Sequence, residues 1–183
     1  MPSITTILVP REDIESDDAW VVVDSLSVFA KAAVKAGYSL DDLPEEIRWN
    51  SEVTNALTQI NRNGPSLYFY NVLAEHDGLE RWKKIVDATR AGLAALGNVP
   101  QASAYDDLIS IYENNRASIV NGRRADTPFK LAKDFDLLCH FMPSGKAEDE
   151  FMGERVRWVR SLSIIRPIAR TSYDQELAIL LSA

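Results

Sequence analysis

The chain has 183 residues, 46% of them hydrophobic and 26% charged, which is enough to bury a full core and fits one domain. Its single cysteine, Cys139, excludes an intramolecular disulfide and a thiolate metal cluster built from one chain. No apolar run approaches the length that spans a bilayer, and the first residues lack a basic segment followed by a long apolar one. We therefore expect a cytoplasmic protein that makes no contact with a membrane.

The net charge of −7 is concentrated in the first third of the chain. Residues 1–60 contain eleven acidic and four basic side chains, whereas residues 61–183 contain sixteen of each. Such a surface would repel DNA phosphates and could attract a basic partner. The same acids stand where helices are expected to begin, and there a carboxylate simply complements the helix dipole. The candidate partner-binding acids are Asp17, Asp18, Asp41, Asp42, Glu45 and Glu46.

The first helix is expected after an extended segment over residues 4–10. Ser16 can cap this helix and Gly37 can end it. The run 21–23 could instead form a strand. One apolar stripe runs along the helix: Val22, Leu26, Phe29 and Ala33.

A second helix is opened by Ser39 or Asp41 and stops at residues 63–64. Pro44 is tolerable only in its first turn, because proline has no backbone N–H to donate. Its apolar face contains Ile47, Val53, Leu57 and Ile60.

The turn after this helix leads to a short helix over residues 65–71 and a long one over 79–96. Gly97 stands just past the end of the long helix, where a residue with positive φ is common. Its apolar face contains Trp82, Ile85, Val86, Thr89, Leu93 and Leu96.

The following segment resembles a capping box at Ser103 and Asp106, which predicts a helix over residues 103–117. Residues 121–126 are expected to form a loop. Thr127 and Pro128 then begin a helix whose inward residues are Leu131, Phe135, Leu138 and Met142.

Two more helices are expected near the carboxyl end, over residues 147–159 and 172–181. The segment 162–168 between them could be helical, extended or a short strand, because Pro167 disfavours a continuous helix. The pattern predicts an all-α, single-domain compact bundle of about seven to eight helices over residues 1–183. The pattern is also compatible with short extended segments at the amino terminus and near 162–168.

A polar turn followed by three aromatics and an asparagine supports a resemblance to a known family. The run 62–71 has the sequence Arg-Asn-Gly-Pro-Ser-Leu-Tyr-Phe-Tyr-Asn, and the next helix ends in Ala-Ala-Leu-Gly at 94–97. This arrangement resembles a bacterial domain family of unknown function, which shows an Asn-Gly-Gly-Phe segment, a glutamine, paired aromatics, a closing asparagine and a Leu-Ile-Gly-like stop. The matching residues are Gly64, Tyr68, Phe69, Asn71 and Gly97.

The resemblance covers residues 40–142 and implies a function as well as a fold. The family includes a protein described as a DNA mimic, an all-helical acidic protein that binds a DNA-binding protein in place of DNA. By resemblance, a basic DNA-binding protein is therefore the expected partner. The sequence is also compatible with a homodimer.

Candidate chemical groups are few, so we expect no enzyme, no cofactor and no metal. His76 lies in a polar turn and has only sequence neighbours as partners, while Cys139 and His140 point about 100° apart on a helix. The competing hypothesis is an enzyme or small-ligand-binding protein whose pocket is lined by polar tips: Asn63, Tyr68, Tyr70, Asn71 and His76. Arginines near the carboxyl end could also form a basic face, although the low isoelectric point argues against nucleic-acid binding: Arg155, Arg157, Arg160, Arg166 and Arg170.

Overall fold

A computed structural model describes residues 3–76, 80–97, 99–124 and 146–182. These residues are predominantly helical and include a two-stranded parallel sheet, which confirms the expected fold class and both extended segments. The chain groups into two compact units, the first made of residues 1–51 and 149–183 and the second of residues 52–148. The expectation of one domain stays a prediction.

The sheet of the first unit pairs two segments from opposite ends of the chain. Strand β1 (Ile7–Pro10) lies parallel to strand β2 (Ile165–Ile168), with Ile7 opposite Ile165 and Pro10 opposite Ile168. All four residues of β1 are buried. In β2, Pro167 has no N–H, and the N–H of Ile165 donates to the carbonyl of Leu162 at 3.1 Å. Strand β2 therefore offers few donors to a further strand.

Two helices follow β1 directly. Helix α1 (Arg11–Ile14) is a single turn, and helix α2 (Ala19–Lys35) ends before Gly37, whose φ is 100°. Residues 21–23 are helical, so the strand alternative for this run is wrong. The predicted inner face of α2 is confirmed, since every member of the stripe is fully buried: Val22, Leu26, Phe29 and Ala33.

Helix α3 (Glu45–Tyr68) begins one turn later than the sequence predicts. Ser39 caps a short 3-10 turn over Leu40–Asp42, and Pro44 directly precedes the helix. At Gly64 the helix is interrupted by φ 77° and ψ 163°, so the predicted corner at residues 63–64 is confirmed. A π-helical turn (Phe69–Leu73) and a 3-10 turn (Ala74–His76) follow. The predicted apolar face is buried: Ile47, Val53, Leu57 and Ile60.

In the second unit, helix α4 (Glu80–Ala95) confirms the expected long helix, and Gly97 follows it with φ 70°. Helix α5 (Val99–Arg124) begins earlier and ends later than predicted. The capping box at Ser103 is therefore wrong, because Ser103 is an exposed residue inside the helix. Pro100 fits the first turn, where its missing N–H has no helical acceptor, and this allows the early start.

The carboxyl-terminal helices belong to the first unit. Helices α6 (Lys146–Ser161) and α7 (Arg170–Ser182) confirm the two predicted helices there. The loop expected at 121–126 is wrong for residues 121–124, which are helical. The helix expected from Thr127, with its inward residues, lies outside the described residues. The core of the first unit is built around β1, the inner face of α2, and buried residues of the later helices: Val159, Tyr173 and Leu177.

Candidate protein-interaction surface

The start of α2 uses one of the candidate acids as a cap. The Asp18 carboxylate accepts a 2.9 Å hydrogen bond from the backbone N–H of Trp20. The expected cap, Ser16, instead accepts a 3.1 Å hydrogen bond from the backbone N–H of Asp18. Ser16 therefore orders the turn that precedes the helix, and Asp18 satisfies a donor that the helix leaves unpaired.

The start of α3 uses two more of these acids. The Asp42 carboxylate accepts hydrogen bonds from the Ser39 hydroxyl at 2.7 Å and from its backbone N–H at 2.8 Å. These two bonds, the hydroxyl first, hold the pKa of Asp42 below its ordinary value. Asp41 forms an ion pair of 3.0 Å with Arg48. Half of the six candidate acids thus stabilise local structure.

The other three acids face solvent at the same helix starts. Asp17 and Glu45 are exposed, and Glu46 is partly buried in the first turn of α3. Within the described ranges, these three side chains form no hydrogen bond or ion pair. A partner can therefore approach them without breaking a hydrogen bond or ion pair of the described residues.

The outer face of α2 exposes apolar side chains that sequence reasoning did not select. Trp20 exposes 53% of its surface, Val34 48%, Val28 42% and Val21 37%. An exposed tryptophan beside acidic residues is typical of protein-binding surfaces, where aromatic side chains supply much of the binding energy. The sequence contains this signal, because none of the four residues belongs to the stripe assigned to the buried face of the helix.

The structure places the arginines suggested for a basic face in different environments: Arg155 is buried, whereas Arg157, Arg160, Arg166 and Arg170 are exposed. Arg160 donates to the backbone carbonyls of Ile14 and Ser16, each at 2.9 Å, and so holds the end of α1. Arg166 pairs with Glu176 at 2.6 Å. Both guanidinium groups are therefore engaged within the first unit.

Arg170 joins the start of α7 to α1. Its backbone N–H donates to the Glu12 carboxylate at 3.1 Å, and its guanidinium pairs with Asp13. Hydrogen bonds from backbone N–H groups, that of Glu12 first and that of Arg170 second, hold the pKa of Glu12 below its ordinary value. Two of the amino-terminal acids, Glu12 and Asp13, thus hold the start of α7 against α1.

The burial of Arg155 contradicts its assignment to a basic face. Its side chain is 1% exposed, and it donates a 2.9 Å hydrogen bond to the side-chain oxygen of Asn50. Asn50 in turn donates to the backbone carbonyl of Val23 at 3.3 Å. Burial lowers the pKa of Arg155 to about 10, so the group stays charged at neutral pH. A buried charge held by an amide serves the core and is withdrawn from any outside partner.

The ligand pocket that the sequence left open would depend on Tyr68, and this residue is fully buried. The hydroxyl oxygens of Tyr68 and Tyr105 lie 3.0 Å apart. Tyr70 is partly buried and Asn71 is exposed, while Asn63 and His76 lie outside the residues whose side chains are described. The pocket stays a prediction, but the Tyr68 hydroxyl that would line it lies against the hydroxyl of another buried tyrosine.

The neighbouring aromatics form a packed stack. Phe69 lies 5.4 Å from Tyr112 between ring centroids, and Tyr112 stacks on Trp82 at 6.2 Å. The guanidinium of Arg116 lies over the Trp82 ring, 5.7 Å from the ring centroid. Such contacts stabilise a core and define its packing.

Comparisons with family models, curated proteins and solved structures gave no match. The resemblance to the family that contains a DNA mimic therefore stays a prediction. Among the described residues no group of histidine, cysteine and acidic side chains is arranged to hold a metal ion. No helix in these ranges is both long enough and apolar enough to cross a membrane.

Proposed function

We propose that the protein is a cytoplasmic, non-enzymatic module that binds a basic protein, such as a DNA-binding protein, through the acidic helix starts of its first unit. The observation that carries this proposal is the distribution of charge. The first unit contains fifteen acidic and nine basic side chains, so it holds −6 of the total charge of −7. Most of its carboxyl-terminal arginines contact other residues of the first unit. The acids at the two helix starts therefore dominate the electrostatic potential outside this unit.

A partner that normally binds DNA is the occupant that this charge favours. Carboxylates can replace phosphates opposite lysine and arginine side chains, and long-range attraction accelerates the encounter. The exposed residues Asp17 and Glu45 are the best positions for a test, because their side chains form no hydrogen bond or ion pair within the described part of the chain. Asp42 is unsuitable, since its reversal would remove the capping box and confuse binding with folding.

The test is retention of cellular proteins on the immobilised chain, followed by elution with duplex DNA. We expect basic proteins to be retained at low salt, to be released as salt rises, and to be displaced by DNA that competes for the same surface. The combined variant Asp17→Lys and Glu45→Lys should retain at least tenfold less, because each change converts an attraction into a repulsion.

The matched control reverses two exposed acids of the second unit, Asp87→Lys and Glu113→Lys, and should retain as much as the unchanged protein. If nothing basic is retained, or if retention survives the reversal at residues 17 and 45, the proposal is wrong. Unchanged thermal unfolding of both variants would show that the fold is intact.

A further inference from the structure

The outer face of α2 presents a row of side chains along one side of the helix. Its exposed or partly buried positions follow one another at intervals of four, three, four and three residues; the two end positions are apolar and the three central ones are polar. The inner stripe of α2 has the same spacing but lies on the opposite side and is buried in the core. The residues of this outer seam are Trp20, Asp24, Ser27, Lys31 and Val34.

Charge along this seam changes sign about the middle of the helix. Asp24 lies toward the amino end and Lys31 toward the carboxyl end, and both are exposed. They stand at equal distances on either side of the midpoint between Ser27 and Val28. Two copies of α2 placed antiparallel about this midpoint would therefore bring opposite charges together twice.

Trp20 obeys the same symmetry. It lies as far from the midpoint as Lys35 does on the other side, so in the antiparallel arrangement the two residues reach the same level of the helix pair. A cation near the Trp20 ring would then flank each ion pair. Val21 and Val34 also lie at equal distances from the midpoint, but they are about 140° apart around the helix and therefore stand on opposite sides of the seam.

From this self-complementary pattern we propose that the chain forms a homodimer through an antiparallel pairing of α2 with α2 of a second copy. The arrangement is isologous, so each contact occurs twice and the assembly closes at two copies. A helix of 17 residues is about 25 Å long, and one such seam buries less than a standard interface. The dimer is therefore weak, with a Kd on the order of 10–100 μM. The proposal does not rest on the proposed function, because a basic partner is not needed for it.

The first test is sedimentation of the purified full chain over a concentration series up to about 1 mM. We expect a reversible monomer–dimer equilibrium. Asp24→Lys and Lys31→Asp should each raise the Kd at least tenfold, because either change places like charges opposite one another twice. The double variant exchanges the two charges and should restore the Kd to within about threefold of the original value.

The matched control is the charge exchange Lys83→Asp with Asp87→Lys on α4, whose two side chains are also exposed. It should leave the Kd unchanged. A chain that stays monomeric at every concentration would overturn the proposal. So would a dimer that ignores the single reversals, or one that the double exchange fails to restore.

A second measurement fixes the direction of pairing. A spin label on Val21→Cys, in a chain with Cys139→Ser, reports the distance between the two copies of this exposed position, which lies beside the seam. Antiparallel helices separate the labels by about 20 Å along the axis, since each residue adds about 1.5 Å of rise. Labels about 10 Å apart would indicate parallel helices and would contradict the proposed pairing.

Discussion

The hydroxyl groups of Tyr68 and Tyr105 form a hydrogen bond of 3.0 Å inside the core of the second unit. Their rings meet edge to face, with centroids 6.5 Å apart. Burial raises the pKa of Tyr105 to about 12, although hydrogen bonds with Tyr68 and Thr89 oppose the shift. Burial also raises the pKa of Tyr68 well above its ordinary value. Both hydroxyls therefore stay protonated near neutral pH and position core side chains.

The two hydroxyls should be energetically coupled. Tyr68→Phe or Tyr105→Phe alone leaves one buried hydroxyl without its tyrosine partner, so each should lower the free energy of unfolding by about 1–3 kcal/mol. The double variant should lower it by less than the sum, because no orphaned hydroxyl of the pair remains. Urea denaturation of the four proteins measures this difference. Additive effects, to within about 0.5 kcal/mol, would show that the two groups act independently.

The contact between Glu12 and Arg170 predicts a defined response to acid. The pKa of Glu12 is lowered in the folded chain, so its contribution to stability is complete above the unfolded value of about 4.3 and is lost as pH falls through the folded value. Glu12→Gln should therefore reduce the urea midpoint at pH 7 and flatten its decline below about pH 4.3. Glu15→Gln, at an exposed acid of the same segment, is the control and should keep the original profile. An unchanged slope in Glu12→Gln would contradict the assigned contact.

The buried faces of the helices were predictable because their period is local. Val22 and Phe29 repeat at the spacing that places side chains on one side of a helix, and Gly37 and Gly97 stand where positive φ ends a helix. These signals need no knowledge of distant parts of the chain. They therefore located most helices to within a few residues.

The features that were missed depend on contacts that one segment cannot encode. The pairing of Ile7 with Ile165 joins two extended segments that are individually too short to name their partner. Arg155 has the sequence context of a surface arginine, whereas the structure buries it beside Asn50. Because Pro100 allows α5 to begin at Val99, the predicted capping box at Ser103 falls inside the helix.

The candidate surface was predicted only in part. The acids at the helix starts were selected by charge, and the structure shows that Asp18 and Asp42 serve as caps. The outer face of α2 was not predicted, because the apolar period of the sequence marks the buried side of the helix. An exposed Trp20 is recognised only after the inner face of the helix has been assigned.

Phe69 should be one of the most important core side chains of the second unit. It is fully buried and packs against Tyr112. Phe69→Ala should lower the free energy of unfolding by about 3–5 kcal/mol, because it removes buried contacts and leaves a cavity. Leu67→Ala, at a side chain that is 40% exposed, is the nearby control and should cost about 1 kcal/mol or less. A melting temperature unaffected by Phe69→Ala would rule out the buried position.

Gly64 and Gly153 provide a pair of identical substitutions with opposite expected signs. Gly64 has φ 77° and ψ 163°, a conformation that side-chain-bearing residues rarely adopt, and a Cβ there would meet no atom of the described residues within 4 Å. Gly64→Ala should therefore cost about 1–3 kcal/mol through backbone strain alone. Gly153 lies inside α6, and its added Cβ would meet Nη1 of Arg157 at 3.6 Å, which is an ordinary van der Waals contact. Gly153→Ala should stabilise the chain by about 0.5–1 kcal/mol, because alanine loses less backbone entropy in a helix. Urea denaturation measures both effects, and a neutral or stabilising Gly64→Ala would contradict the corner that ends the first part of α3.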